Sequence, residues 1–167
     1  IDALYRASRA GVEVQIWVRG ICSIKPGVPG LSENITVRSI VGRFLEHSRI
    51  FYFRNNLQHD IWLSSADWMN RNLLRRVEVA FPVRAPALKK RVLREGLHPY
   101  LKDNTSAWEL GSDGHYRRRK PRSGQRPCNA QQLLMDLLGA AAPAETDKEK
   151  KHGTDPMAPR RGRSRRT

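Results

Sequence analysis

The run of β-branched and aromatic residues from Ser48 to Phe53 most constrains the fold of this chain, because such a run is typical of a strand. A turn at 54–56 and a second apolar run, Asp60 to Ser64, follow it and predict a β-hairpin. His47 and Arg49 stand two residues apart at the start of the first run, so we expect their side chains on one side of the strand. An imidazole beside a guanidinium predicts an anion site with a proton donor in it. The pattern therefore indicates phosphate chemistry, with His47 as the titrating group.

The remaining sequence mixes helical and strand patterns, which predicts an α/β domain with a mixed sheet, part of it antiparallel, flanked by helices. Helices are expected at Ile1 to Ala10, Trp68 to Leu74, Ala85 to Tyr100 and Gln131 to Leu138, and strands at Val12 to Val18, Asn34 to Ser39 and Arg75 to Phe81. A small hairpin is expected about Ser112 to Gly114. In the third helix, Leu88, Val92 and Leu93 are expected to form the buried stripe.

The C-terminal segment 143–167 has no aromatic residue, and Met157 is its one large apolar residue. It holds eight Lys/Arg and four Asp/Glu. Such a composition does not bury enough apolar surface to offset the entropy of ordering. We therefore expect a folded domain over 1–142 and a disordered basic tail over 143–167.

The net charge of +15 at pH 7 favours a polyanionic partner, because a positive field attracts and steers anions. The first 142 residues are themselves basic, with 23 Lys/Arg against 12 Asp/Glu. Nucleic acid, nucleotide, polyphosphate and an acidic membrane surface all fit this charge. Nucleic acid is disfavoured, since the basic runs have few interleaved aromatic residues.

Cys22 and Cys128 are too few and too far apart for a disulfide framework or a zinc site, and they fit reduced thiols in the cytoplasm. No apolar run approaches the ~20 residues that a membrane span requires, although association with a membrane surface stays open. Nucleotide-binding glycine loops and metal motifs are absent from the sequence, and no metal ligands are expected. The chain opens inside a helical pattern without Met, which predicts a piece of a longer protein.

Arg19 and Glu78 are the other candidate site residues. Arg19 ends a predicted strand and precedes Gly20, a placement that suits bidentate binding of phosphate, although a charge on the surface is an equal alternative. Glu78 lies in an apolar strand pattern, where it either faces solvent or orients a basic partner. For His47 the alternative is a surface or structural histidine.

Two segments carry a resemblance to a known family: VRGICSIKPGVPGLSENITVRSIVGRFLEHSRIFYF and SSADWMNRNLLRRVEVAFPV. They resemble the C-terminal catalytic domain of bacterial polyphosphate kinases, which have a phospholipase-D-like fold. The resemblance extends from about Ile1 to Leu138, and the tail lies outside it.

The resemblance implies reversible transfer of the terminal phosphate of ATP to inorganic polyphosphate through a phosphohistidine, with Mg²⁺. It also implies a homo-oligomeric full-length enzyme. Arg19, His47 and Arg49 would contact ATP or phosphate, and Glu78 would lie in the same catalytic site. The histidine that becomes phosphorylated would belong to a similar half preceding Ile1. His47 would then be its acid/base partner, and this chain alone would have little or no kinase activity.

Two other classes remain as alternatives. The first is a non-catalytic module that binds polyphosphate or nucleic acid, with the basic tail doing the binding. The second is a phosphodiesterase or nuclease of the phospholipase-D superfamily. That class requires Lys two residues after the histidine, and Arg49 stands there instead.

Overall fold

The structure is a computed structural model that describes residues 1–56 and 58–140. Seven strands are present in these ranges, and all are short. They are β1 (Val14–Trp17), β2 (Ile35–Ile40), β3 (Ile50–Asn55), β4 (Gln58–Ser64), β5 (Ala80–Pro82), β6 (Ala107–Leu110) and β7 (Tyr116–Arg118). The expected tail, 143–167, lies outside the described residues.

The helices of the described ranges lie before, between and after these strands. They are α1 (Asp2–Arg9), α2 (Asn70–Arg75), α3 (Pro86–Val92), α4 (His98–Lys102) and α5 (Ala130–Gly139), with a π-helical turn, Leu93–Leu97, joining α3 to α4. Among the described residues, no helix has the length and apolar character needed to cross a membrane.

A four-stranded mixed sheet has the order β1-β2-β6-β7. β1 and β2 are parallel, with Val14 opposite Ile35, whereas β2–β6 and β6–β7 are antiparallel. Ile35, Val37 and Ala107 are the most deeply buried residues of this sheet. The predicted α/β fold with a mixed, partly antiparallel sheet is confirmed, and so is the hairpin that β6 and β7 form.

The predicted hairpin of β3 and β4 is also confirmed, but it belongs to a second sheet of order β3-β4-β5. Asn56 has a φ of 45° in its turn, a left-handed conformation that asparagine tolerates better than most residues. Ile61 of β4 is buried, and Phe51 of β3 stacks on Trp68 with ring centroids 5.1 Å apart. The predicted site residues Arg19, after β1, and Arg49, before β3, therefore lie next to different sheets.

The prediction of a strand over 75–81 is wrong for most of its length. Arg75 ends α2, Val77 is fully exposed, and regular pairing begins only at Ala80, opposite Ser64. β4 ends at Ser64, and regular strand pairing does not extend to the residues before Ala80, although the Val79 carbonyl accepts from the Ser65 amide.

The predicted helix over 85–100 is present, but its buried stripe was misplaced at Leu88, which is exposed. The helix packs through its C-terminal half instead. A Cβ added to Gly96 would lie 2.4 Å from Ile50 Cδ1, and Pro99 is buried. The π-helical turn lies at this contact.

Candidate functional site

Two arginine side chains converge on the carboxylate of Asp67. Arg19 Nη2 lies 2.8 Å from Asp67 Oδ2, and Arg49 Nε lies 3.0 Å from Asp67 Oδ1. Arg19 follows β1 of the first sheet, whereas Arg49 precedes β3 and Asp67 follows β4 of the second. The structure thus brings the two predicted arginines together, 30 residues apart in the chain, through one acidic residue.

His47 lies directly against Arg49. Arg49 Nη1 is 3.0 Å from His47 Nδ1, 3.2 Å from Nε2 and 3.0 Å from the His47 carbonyl oxygen. Neither residue is inside the strand, since β3 begins at Ile50, yet both side chains lie on the same side, as expected. A guanidinium can only donate hydrogen bonds, so the ring nitrogen that faces Arg49 must accept. The exposed imidazole thus lies beside a cation.

The charge of the cluster is positive. The hydrogen bond from Arg49 lowers the pKa of Asp67, and the charges of Arg19 and Arg49 add to this against the opposing effect of burial. Asp67 carries a single negative charge and can neutralise one guanidinium, so one positive charge remains uncompensated. Both arginine side chains are accessible, at 39% for Arg19 and 17% for Arg49. Accessible guanidinium groups with surplus positive charge form a site that fits phosphate oxygens.

Glu78 is hydrogen-bonded to Ser65, two residues before Asp67. It accepts a short hydrogen bond from Ser65 Oγ and a 2.8 Å bond from Asn72 Nδ2. These two bonds, Ser65 first, lower the pKa of Glu78. Ser65 Oγ also accepts from the Val79 amide at 3.0 Å. Glu78 therefore fixes the start of the turn that presents Asp67.

Among the described residues, no hydrogen bond or ion pair joins Glu78 to His47, Arg19 or Arg49. Asn72 is buried, and its Oδ1 has no hydrogen-bond partner within residues 1–56 and 58–140. The described ranges hold no group of three or more His, Cys, Asp or Glu side chains placed to bind a metal ion. Cys22 and Cys128 are free thiols.

Asp67 is the site residue that sequence reasoning missed. The register of the predicted hairpin was a usable signal. Ile50 pairs with Leu63, so the residues just after β4 return to the same end of the hairpin as Arg49. An acidic residue there is within reach of that arginine.

Comparisons with known proteins show which family the chain belongs to. The family model described as polyphosphate kinase C-terminal domain 2 matches residues 1–131. The polyphosphate kinase of Burkholderia lata is 67% identical over 135 residues, which cover 81% of this chain and 19% of that protein. The polyphosphate kinase of Paraburkholderia phytofirmans is 61% identical over 139 residues, covering 83% of this chain and 20% of that protein.

A solved structure is similar as well. The crystal structure of polyphosphate kinase from Porphyromonas gingivalis superimposes with a TM-score of 0.77 at 40% identity, covering 83% of this chain and 21% of that one. The chain thus spans about a fifth of the length of the relatives it matches. Its fold and most of its sequence agree with one family, and it belongs to the polyphosphate kinase C-terminal domain family.

Proposed function

We propose that this chain supplies part of the active site of an ATP:polyphosphate phosphotransferase, which reversibly transfers the terminal phosphate of ATP to inorganic polyphosphate. The observation that carries the proposal is the convergence of Arg19 and Arg49 on the Asp67 carboxylate, with His47 held against Arg49. Phosphoryl transfer depends mainly on positioning and on stabilising charge, and these residues provide both.

Arg19 and Arg49 would bind the phosphate oxygens of ATP or of polyphosphate, taking over contacts that each now makes with Asp67. A guanidinium can offer two parallel N–H groups to a phosphate, which fixes its orientation as well as its charge. His47, held against Arg49, would act as an acid or base toward the phosphate in transfer. Glu78 would support the catalytic site through Ser65 and the Asp67 turn.

In this proposal the histidine that carries the phosphate belongs to a preceding half of a longer, homo-oligomeric enzyme. ATP and Mg²⁺ are the proposed cofactors, and Mg²⁺ would supply charge neutralisation at the phosphates, because it binds oxygen ligands. The proposed functional unit is 1–142, followed by the basic tail 143–167. We place the enzyme in the cytoplasm, and we regard nucleic acid as outside its partners.

The binding half of this proposal can be tested on the 167-residue chain by isothermal titration calorimetry with polyphosphate of defined length and with ATP–Mg²⁺. Arg19→Gln and Arg49→Gln should each weaken binding about tenfold, as expected for loss of a charge-assisted contact. The matched control is Arg91→Gln, since Arg91 is also an exposed arginine paired to a carboxylate, that of Glu95. We expect Arg91→Gln to bind like the wild type.

The same samples test turnover. We expect no ATP-dependent synthesis of polyphosphate by the chain alone, because the phosphorylated histidine lies elsewhere in the proposed enzyme. If the affinity for polyphosphate is unchanged in both Arg19→Gln and Arg49→Gln, the proposed site is wrong. Sustained synthesis by the isolated chain would overturn the requirement for a second half.

A second candidate is a non-catalytic polyanion-binding module. The net charge of +15 favours it, because long-range attraction needs no organised site. The two functions differ in whether binding depends on Arg19 and Arg49 or on the tail.

A further inference from the structure

The segment that carries His47 has almost no main-chain support of its own. Residues 41–49 form neither helix nor strand. The Val41 amide donates to the Ser106 carbonyl, and the Arg49 carbonyl accepts from the Ser64 amide. Between these two points, residues 42–48 make no hydrogen bond to another main-chain group within the described part of the chain. Their position must therefore come from side chains.

Gln131 provides most of that support from helix α5. Its Oε1 accepts from the Phe44 amide at 3.0 Å, and its Nε2 donates to the Phe44 carbonyl at 2.8 Å. The amide group thus pairs with both main-chain polar groups of one residue, as a neighbouring strand would. Nε2 also donates to Glu46 Oε1 at 2.7 Å. Gln131 is buried, at 6% exposure, although it is a polar residue on a short terminal helix.

Glu46 is held from a second direction by Tyr100. The Tyr100 hydroxyl donates to Glu46 Oε2 at 2.6 Å. Burial, the hydrogen bond to Glu46 and the charge of Glu46 raise the pKa of Tyr100, so the hydroxyl stays protonated and continues to donate. Both carboxylate oxygens of Glu46, the residue next to His47, are therefore fixed.

Gly42 allows this close packing. A Cβ at position 42 would lie 2.4 Å from Gln131 Oε1 and 2.8 Å from Gln131 Cδ, so any side chain there would push the amide group away. Gly42, Phe44 and Glu46 thus face the same glutamine at alternate positions along the segment.

We propose that Gln131, acting with Glu46 and Tyr100, is the positioning residue for His47. By fixing the main chain of Phe44 and the carboxylate of Glu46, Gln131 keeps the imidazole of His47 against Arg49. The inference rests on the proposed function only for the consequence in phosphate binding; the positioning itself is a property of the ligand-free chain.

Gln131→Leu in the full 167-residue chain tests the positioning. It keeps a similar side-chain volume and removes all three hydrogen bonds. Gln132→Leu is the matched control: it makes the same change one residue later, where the glutamine is exposed and bonds Asp136 on its own helix. The readouts are the His47 ring resonances and the nanosecond relaxation of residues 44–47 by NMR, without ligand, together with the thermal unfolding transition.

In Gln131→Leu we expect the His47 ring signals to move toward those of a fully solvated histidine, with larger-amplitude motion at 44–47, while Gln132→Leu keeps the wild-type spectrum. Tyr100→Phe, which loses only one hydroxyl, should shift the His47 signals less and in the same direction. If Gln131→Leu does not fold, the Tyr100→Phe spectrum tests the positioning role. Unchanged His47 signals in a folded Gln131→Leu chain, or in Tyr100→Phe when the first variant is unfolded, would refute the positioning role.

Titration with inorganic tripolyphosphate separates this inference from the proposed function. Gln131→Leu should weaken binding about fivefold relative to Gln132→Leu. A wild-type chain that binds no tripolyphosphate would contradict the proposed function, and the ligand-free spectra would still decide the role of Gln131.

Discussion

Asp67 restrains two guanidinium groups whose combined charge it can only half neutralise. A phosphate group that enters between Arg19 and Arg49 would replace a single carboxylate with a more highly charged oxygen cluster, so each arginine could exchange partners without becoming unpaired. Preorganised donors of this kind lower the cost of reorientation when a ligand binds. In the proposed site, the residue that holds both arginines without phosphate is therefore the one that phosphate would displace.

Asp67→Asn should reduce the free energy of unfolding by about 1 kcal/mol at pH 7, since the ion pairs are partly exposed. The pKa of Asp67 is lower in the folded chain than its usual value of 3.8. Its ion pairs thus stabilise fully above that value, and the stabilisation is lost as the pH falls through the folded-state pKa. The stability difference between wild type and Asp67→Asn should shrink accordingly, as urea unfolding between pH 7 and pH 2 can measure.

The wild type protonated at low pH is its own control for this variant, because neutral Asp67 and Asn have nearly the same shape. A difference in unfolding free energy that is constant down to the lowest pH would mean that the ion pairs to Arg19 and Arg49 do not stabilise the fold.

At the scale of elements, Asp103 joins three parts of the domain. Its carboxylate accepts from the amides of Thr105, Ser106 and Ala107 at the start of β6, from the Ser106 hydroxyl, and from the Ala130 amide at 2.7 Å at the start of α5. Asp103 itself follows α4 and has no exposed surface. Burial alone would raise the pKa of Asp103, but the hydrogen bonds from Ser106, Ala130 and Thr105 hold it below its usual range.

Asp103→Asn should lower the free energy of unfolding by about 3 kcal/mol, because an amide cannot accept at both positions and leaves buried donors unpaired. Chemical denaturation at pH 7 measures this. The matched control is Asp136→Asn on the exposed surface of α5, which should change stability by less than about 0.5 kcal/mol.

Equal stabilities for Asp103→Asn and Asp136→Asn would refute this account. Loss of the Asp103 contact should also disturb the Phe44 amide, since the Ala130 amide that it anchors precedes Gln131 in the same helical turn.

The elements predicted correctly from sequence patterns are those whose formation depends on neighbouring residues in the chain. Alternation and turn residues identify the β3–β4 hairpin and the β6–β7 hairpin because each is closed by neighbouring residues. The error at 75–81 has a non-local cause: Val77 and Val79 alternate as a strand does, but β4 ends too early to pair with them. The contacts of Asp103 are also non-local, since its partner Ala130 lies 27 residues away.

The site divides in the same way. Arg19, His47 and Arg49 are visible in the sequence because their residue types and their places at strand ends point to anion binding. Asp67 and Gln131 are not, since their roles depend on partners 18 to 87 residues distant. A glutamine on an amphipathic helix has no local sign of what it contacts, and the aspartate could be found only through the register of the β3–β4 hairpin.

For the molecule as a whole, charge and site contribute differently to binding. The net charge of +15 acts over a Debye length and is screened by salt, so it raises the affinity for any polyanion at low ionic strength. The proposed contacts of phosphate with Arg19 and Arg49 would be short-range and directional, so salt would weaken them less. Selectivity for phosphate chains should therefore be clearest at high salt, where the general attraction has been screened.

Removing Pro143–Thr167 separates the two contributions, since that segment carries eight Lys/Arg and four Asp/Glu. A chain that ends at residue 142 should bind polyphosphate a few times more weakly than the full chain at low salt and nearly equally at high salt, because only long-range attraction is lost. Arg19→Gln should weaken both chains by the same factor. Calorimetric titrations at two salt concentrations provide the measurement. If binding instead disappears with the tail and is indifferent to Arg19→Gln, the polyanion-binding module is the correct function, because affinity would then reside in unorganised charge and not in the arginine pair around Asp67.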